Sequence, residues 1–133
     1  MYRLAFLLAA SIVLLPAQST DQGKNEVLNG RAWVLLNTTE HLMYIAGYRQ
    51  GVQWTASELA EAARRKLLDD SFPAGFNVVD FESEIDKLYA QAENLNISVP
   101  LGYRYVAEKL TGRKTMEQLE KDLIAIRAIA APR

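Results

Sequence analysis

The stretch DFESEIDKLY, residues 80–89, carries the clearest helical pattern in the chain. Its apolar residues fall at positions i, i+4, i+7 and i+8, which places them on one face of a helix. Acidic residues are concentrated near its start, where the helix dipole favours anions. The segment therefore predicts an amphipathic helix that begins near Asp80 and buries one face against other helices. The buried face is predicted to consist of Phe81, Ile85, Leu88 and Tyr89.

Three more helices are predicted on the N-terminal side of this segment. Asn29 can cap a short first helix, and Thr38 or Thr39 can cap a second. The second helix has apolar residues on more than one face, which predicts a central, largely buried helix around Ile45. Thr55–Glu58 has the pattern of a capping box and predicts the start of a third helix.

Two further helices are predicted on the C-terminal side. Ser98 can cap a fifth helix that has Pro100 in its first turn. Gly112 is predicted to end this helix as a C-cap residue. Thr115 and Gln118 form a second capping-box pattern, which predicts the start of the last helix.

These signals together predict an all-α fold, a compact bundle of five or six short helices preceded by a signal-peptide helix. The strand-like segment FNVV, residues 76–79, is too short to build a sheet. We expect a signal peptide at residues 1–19, a flexible leader at residues 20–28 and a single helical domain at residues 29–131.

The first nineteen residues have the features of an export signal. Arg3 precedes an apolar run at residues 4–15. Ala17 and Ser19 then place small side chains at −3 and −1 of a cleavage site before Thr20. The apolar run is too short to span a hydrocarbon core of about 30 Å, so a permanent anchor is less favoured. The expected location is periplasmic or secreted.

The amino-acid composition argues against several further classes of function. The chain has 15 basic and 16 acidic residues among 133, and this near-neutral balance argues against nucleic-acid binding. It has no cysteine, which excludes disulfides, thiolate metal sites, cysteine nucleophiles and a lipid-anchoring cysteine. No second apolar stretch is long enough for a membrane span, so we expect no membrane contact after signal cleavage.

Three glycines are predicted to have structural roles. Gly47 and Gly51 lie four residues apart on one face of the second helix, where each costs about 1 kcal/mol relative to alanine. The spacing favours close approach of another backbone, or an end of the helix at Gly51, over a groove for a ligand. Gly112 is the predicted C-cap described above.

No catalytic or metal motif emerges from the titratable residues. His41, the one histidine, is expected in the exposed first turn of its helix, and no zinc-binding spacing surrounds it. On a helix, Asp80 would share a face with Glu84, and Glu82 with Asp86. We interpret these acids as a solvated face, and we expect no metal and no cofactor.

A polar and aromatic segment is the candidate binding site. Tyr103, Arg104 and Tyr105 belong to residue types that are enriched at binding hot spots. The alternative is that one of the tyrosines packs into the core and leaves its hydroxyl at the rim.

Two segments resemble known proteins. N-G-x-x-W followed by Y-I-x-G-Y-x-x-G (Asn29–Gly51), and L-Y-x-x-x-x-N-x-x-I-x-V-P-x-x-Y-x-Y-V-x-x-K-L-x-G (Leu88–Gly112), resemble small exported bacterial proteins of unknown function. The Y-I-x-G-x-x-x-G part is also similar to periplasmic immunity proteins that neutralise peptidoglycan amidases injected by type VI secretion systems. The resemblance implies a small, mostly helical, exported and often dimeric protein, and it carries no catalytic motif.

The sequence therefore predicts an exported, soluble, non-enzymatic protein-binding module of the bacterial envelope, with an inhibitor or immunity-like role. The expected partner is an envelope protein, and a homodimer is the other expected assembly. The alternative function is a small carboxylate-dependent cell-wall hydrolase, for which the acids of Asp80–Asp86 are the candidates.

Overall fold

The computed structural model describes residues 27–131, which fold into six α-helices and one 3₁₀ turn without a β-strand. The predicted all-α bundle is confirmed, while the predicted signal peptide at residues 1–19 lies outside the described residues. Within residues 27–131, no helix has both the length and the apolar character that a membrane span requires. The helices are α1 (Gly30–Trp33), α2 (Thr38–Ser57), α3 (Glu61–Ser71), α4 (Val78–Tyr89), α5 (Val99–Thr111) and α6 (Met116–Ala130), and the 3₁₀ turn is Ala92–Asn94.

Side-chain caps begin four of the helices. The caps predicted for α1 and α6 are confirmed, because Asn29 accepts the Ala32 amide and Thr115 accepts the Gln118 amide. The cap of α2 is Asn37 rather than the threonine predicted after it. The cap of α4 is Asn77.

Asn77 also explains why the segment FNVV forms no strand. Its side-chain oxygen accepts the Val79 and Asp80 amides, while the Asp80 carboxylate accepts the Asn77 amide. This reciprocal capping box satisfies amide groups that a helix start would otherwise leave unpaired. The segment therefore begins α4 two residues before the predicted start at Asp80.

The predicted start of a helix at Thr55 is wrong. The Thr55 hydroxyl donates to the Gly51 carbonyl and the Ser57 hydroxyl donates to the Trp54 carbonyl, so neither caps a new helix. α2 instead continues to Ser57, which allows Ala56 to be buried. α3 begins only at Glu61.

The core lies between α4 and α5, and the predicted apolar face of α4 is confirmed. Phe81, Ile85, Leu88 and Tyr89 are all buried, although Lys87 between them is exposed. They pack against apolar residues of α5 and the loop before it. These are Ile97, Val99, Tyr103, Val106 and Ala107.

α2 is not the central helix that its composition predicted. Ile45 is fully buried against the core, as expected. Met43 and Trp54, however, are 70% and 77% exposed on the opposite side of the helix. The residues that appeared to broaden its apolar face are thus divided between a buried side and a solvent-facing side.

Two glycines occupy the positions that require them. Gly112 ends α5 with φ of 64°, a left-handed conformation that an L side chain rarely adopts, so its predicted C-cap role is confirmed. Gly30 packs directly on the ring of Tyr89, leaving no room for a Cβ. Its amide donates to the Ile97 carbonyl at 3.1 Å, which joins the start of α1 to the loop before α5.

Candidate functional site

The three predicted binding residues on α5 do not share one environment. Tyr103 is only 2% exposed, stacks on Phe81 at 4.5 Å between ring centroids, and donates its hydroxyl to the Ser71 carbonyl at 3.0 Å. Burial raises the pKa of its hydroxyl. Arg104 is exposed and Tyr105 is half-buried. Tyr103 is therefore a core residue, and a partner can reach only the other two side chains directly.

Grooves lie on both sides of α5, and Arg104 lines both of them. The larger groove, of about 510 Å³, runs between α3 and α5, and a smaller one runs between α5 and α6. Their acidic residues are ion-paired: Asp70 lies 2.6 Å from Lys66 and from Arg113. These contacts, the hydrogen bond from Lys66 first, lower the pKa of Asp70. The grooves therefore present ionised pairs.

Gly51 does not end α2, and within the described residues no other backbone approaches Gly47 or Gly51. α2 continues through both, and a Cβ built at either would meet no atom of the described residues within 4 Å. Both glycines face solvent, because the other side of α2 supplies the buried residues. The solvent-facing side is called the outer face of α2 below. It consists of Met43, Ala46, Gly47, Gln50, Gly51 and Trp54.

A polar cluster lies at the junction of α1, α2 and α4, and His41 is its centre. His41 was expected at the surface, but it is only 7% exposed. Its ring stacks on that of Trp33, with 4.0 Å between centroids and 5° between planes. Its Nδ1 lies 3.5 Å from Glu82 Oε1 and 3.5 Å from Asp86 Oδ1. One imidazole nitrogen therefore faces two carboxylates.

Trp33 holds two members of this cluster in place. Its backbone carbonyl lies 2.9 Å from His41 Nε2, and its indole Nε1–H donates to Asp86 Oδ1 at 2.7 Å. A carbonyl only accepts, so His41 Nε2 must carry the hydrogen. With Nε2 bound to this carbonyl, the ring is oriented so that Nδ1 faces Glu82 and Asp86.

The four acids of the Asp80–Asp86 segment are not one solvated face, so that interpretation is wrong. Asp80 accepts the Asn77 amide at the start of α4, and Glu84 pairs with Lys87 and Lys109, each at 2.6 Å. The hydrogen bond from Lys109, followed by that from Lys87, lowers the pKa of Glu84. Only Glu82 and Asp86 share the histidine, as expected for side chains at i and i+4 on one helix face.

His41, Glu82 and Asp86 are also the group of described residues that could hold a metal ion. Each offers one ligand atom, and the three atoms lie within 4.8 Å of one another. The shared helix face of Glu82 and Asp86 is visible in the sequence, but the approach of His41 was not predicted. The spacing of His41 and Ile45, at i and i+4 on α2, was the available signal, because it places the histidine on the same side as a core residue.

Comparison of the chain with protein-family models, with curated proteins and with solved structures finds no match.

Proposed function

We propose that this chain is an exported, non-enzymatic protein-binding domain of the bacterial envelope, and that the outer face of α2 is its contact surface. The observation that carries the proposal is Trp54, which is 77% exposed on a helix face that has no charged residue between Met43 and Trp54. Tryptophan is among the residues that contribute most to binding energy at protein interfaces. The outer face therefore has an anchor residue in a surrounding typical of a protein contact.

The glycines of the outer face support the same conclusion. Gly47 and Gly51 each cost about 1 kcal/mol relative to alanine in a helix interior. Neither makes a packing contact in return within the described residues. Small residues on a helix surface allow the backbone of a second helix to approach closely. The cost is explained when a helix from another molecule covers this face.

A second copy of α2 fits this face by position and charge. In an antiparallel pair centred between residues 48 and 49, Met43 lies opposite Trp54, Gly47 opposite Gln50, and Ala46 opposite Gly51. Each pairing occurs twice, as the two-fold symmetry of a homodimer requires. The thioether of Met43 and the indole of Trp54 are favourable contacts for each other. Because the six residues of the outer face carry no charge, they do not repel one another across the pair.

The carboxylate-dependent hydrolase receives less support from the grooves. A general acid needs a carboxyl that is protonated when the substrate binds. Asp70 in the larger groove is instead held ionised by Lys66 and Arg113. Lys114 likewise lies 2.6 Å from Asp122 beside the smaller groove.

Sedimentation velocity of the full chain across a range of concentrations tests the proposal. We expect the wild type to form a homodimer, and the double variant Met43→Ala/Trp54→Ala to be monomeric with an unchanged circular dichroism spectrum. The matched control is Met116→Ala/Ile129→Ala, which removes two equally exposed apolar side chains from α6. The control should dimerise like the wild type.

The possible results separate the two parts of the proposal. A wild type that is monomeric at all concentrations overturns the α2 homodimer. If that monomer binds an identified envelope protein, and the α2 variant does not while the α6 variant does, the same face serves a different partner. If all three proteins behave alike in both assays, the outer face of α2 is not a contact surface.

A further inference from the structure

We propose that His41, Glu82 and Asp86 bind a divalent metal ion such as Zn²⁺ at the junction of α1, α2 and α4. The three ligand atoms are His41 Nδ1 and one carboxylate oxygen from each acid. Imidazole nitrogen and carboxylate oxygen are among the ligands that Zn²⁺ takes in proteins. The site lies on the inner side of α2, and it does not depend on the contact surface proposed for the outer face.

The hydrogen-bond chemistry of His41 is the first argument. Its Nε2–H donates to the Trp33 carbonyl at 2.9 Å. In a neutral imidazole the other nitrogen, Nδ1, then has a lone pair and no hydrogen. This lone pair faces the carboxylate oxygens of Glu82 and Asp86, which are also acceptors. Three acceptor atoms thus face one another, and one of them belongs to a histidine that is only 7% exposed. A cation between the three atoms stabilises this arrangement.

The distances are the second argument. Zn²⁺ lies about 2.0–2.2 Å from nitrogen and carboxylate ligands, so two ligands at a tetrahedral angle are about 3.4 Å apart. His41 Nδ1 lies 3.5 Å from each carboxylate oxygen, which is close to this separation. The 3.5 Å separations therefore match those expected for ligands of one ion.

The surroundings of the ligands are the third argument. Metal-binding histidines usually donate their other ring N–H to a carbonyl or carboxylate, and ligating carboxylates accept hydrogen bonds of their own. Trp33 supplies both interactions, through its carbonyl to His41 and its indole N–H to Asp86. The indole also stacks on the imidazole and fixes the plane of the ring.

Access to the site comes from the Asp86 side. The Asp86 side chain is 45% exposed, whereas those of His41 and Glu82 are 9% and 13% exposed. An ion can therefore enter from solvent beside Asp86. Three protein ligands leave a fourth tetrahedral position free for water or for a ligand atom of another molecule.

Trp33 provides a direct readout of binding. The chain has two tryptophans, so Trp54→Phe leaves Trp33 as the sole indole; the change lies on the outer face of α2, away from the three proposed ligands. Titration of this full-length variant with Co²⁺ should quench Trp33 fluorescence in a saturable manner with one ion per chain. EDTA should restore the fluorescence, and Zn²⁺ should compete with Co²⁺.

Near-isosteric variants locate the ion. In the same background, Glu82→Gln and Asp86→Asn should each weaken Co²⁺ binding at least tenfold, while circular dichroism shows that the helices are retained. The matched control is Glu84→Gln, which removes the same charge from α4 outside the cluster. It should bind Co²⁺ as the parent does.

Two results would overturn the metal site. One is the absence of saturable quenching by Co²⁺ and of heat from Zn²⁺ in calorimetry, which would leave His41, Glu82 and Asp86 as a polar cluster that binds no ion. The other is binding that Glu82→Gln and Asp86→Asn leave unchanged, which would place the ion elsewhere on the chain. Neither result bears on dimerisation through the outer face of α2.

Discussion

At the scale of single residues, Tyr89 determines where glycine is required. Tyr89 is 2% exposed, and burial raises the pKa of its hydroxyl, which donates to the Ile97 carbonyl. Gly30 and Gly102 pack on its ring from two different helices. A Cβ at Gly102 would lie 2.6 Å from the Tyr89 hydroxyl oxygen, and one at Gly30 would overlap the ring itself. Tyr89 cannot move aside without disturbing the core.

Gly30→Ala and Gly47→Ala should therefore change stability in opposite directions. In Gly30→Ala the new Cβ would also lie 2.9 Å from Leu95 Cα, so we expect a loss of about 1–3 kcal/mol from overpacking. In Gly47→Ala the new methyl group meets no described atom within 4 Å, so we expect a gain of about 0.5–1 kcal/mol from helix propensity. Urea denaturation measures both free energies of unfolding.

The comparison is best made in the Trp54→Ala background, since association through α2 would otherwise contribute to the measured stability. A Gly47→Ala variant that is less stable than its parent there would show that the outer face of α2 contacts part of the same chain. A neutral Gly30→Ala would show that α1 can shift away from Tyr89.

His41 shows why the candidate site could be predicted only in part. The i, i+4 pair of Glu82 and Asp86 is visible in the sequence, because it depends on one helix. The histidine joins them only because α2 packs on α4, and the carbonyl that selects its tautomer belongs to α1. Contacts between residues 41 positions apart have no local pattern in the sequence. The sequence alone therefore predicts a solvated face where the structure has a cluster of His41, Glu82 and Asp86.

At the scale of the elements, Glu84 connects α4 to α5. It lies 2.6 Å from Lys109 on α5 and 2.6 Å from Lys87 on α4. The hydrogen bonds from Lys109 and Lys87 lower its pKa relative to the unfolded chain. Ionised Glu84 therefore stabilises the folded state at pH values above its ordinary pKa.

This connection predicts how Glu84→Gln changes the response to acid. Because the pKa of Glu84 is lowered by folding, its contribution is lost as the pH falls through the folded-state pKa. At neutral pH, Glu84→Gln should be less stable than the wild type by up to about 1 kcal/mol. The difference should vanish in acid below the folded-state pKa, and urea midpoints measured from neutral to acidic pH follow it.

A matched variant isolates the effect of Glu84. Glu117→Gln removes an acid that pairs with Lys121 on the exposed side of α6, where both side chains are largely solvated. Its stability should stay close to that of the wild type at every pH. If Glu84→Gln matched the wild type at neutral pH, the link between α4 and α5 would contribute nothing.

The helices themselves could largely be predicted, because their caps and apolar spacing are local. Asn29, Gly112 and Thr115 cap helix ends as expected, and Ser98 precedes α5 as expected although its side chain makes no capping hydrogen bond. The Thr55–Glu58 capping box failed because a hydroxyl can also bond back to the carbonyl four residues before it. Burial of Ala56 favours that alternative, and burial is a tertiary property.

At the scale of the whole molecule, the two sides of α2 present different chemical groups. Its inner side places His41 against the carboxylates of α4, while its outer side presents Met43 and Trp54 to solvent. Because the two sides share one helix of twenty residues, a partner on the outer face would hold the same helix that positions His41. The proposed dimer and the proposed metal site nevertheless use different residues of α2, so variants of one leave the residues of the other in place.

Export is the prediction that concerns the whole chain, and it depends on residues 1–19. Their sequence predicts cleavage before Thr20, because Ala17 and Ser19 place small side chains where the signal peptidase requires them. Cleavage there leaves the domain intact: Leu28 is already tied to α5, since its carbonyl accepts the Val99 amide at 2.7 Å. Expressed in a Gram-negative bacterium, the full chain should appear in the envelope fraction with Thr20 as its first residue by mass spectrometry. Ser19→Phe should block cleavage while Gln18→Phe, at the tolerant −2 position, should not, and an intact chain confined to the cytoplasm would contradict export.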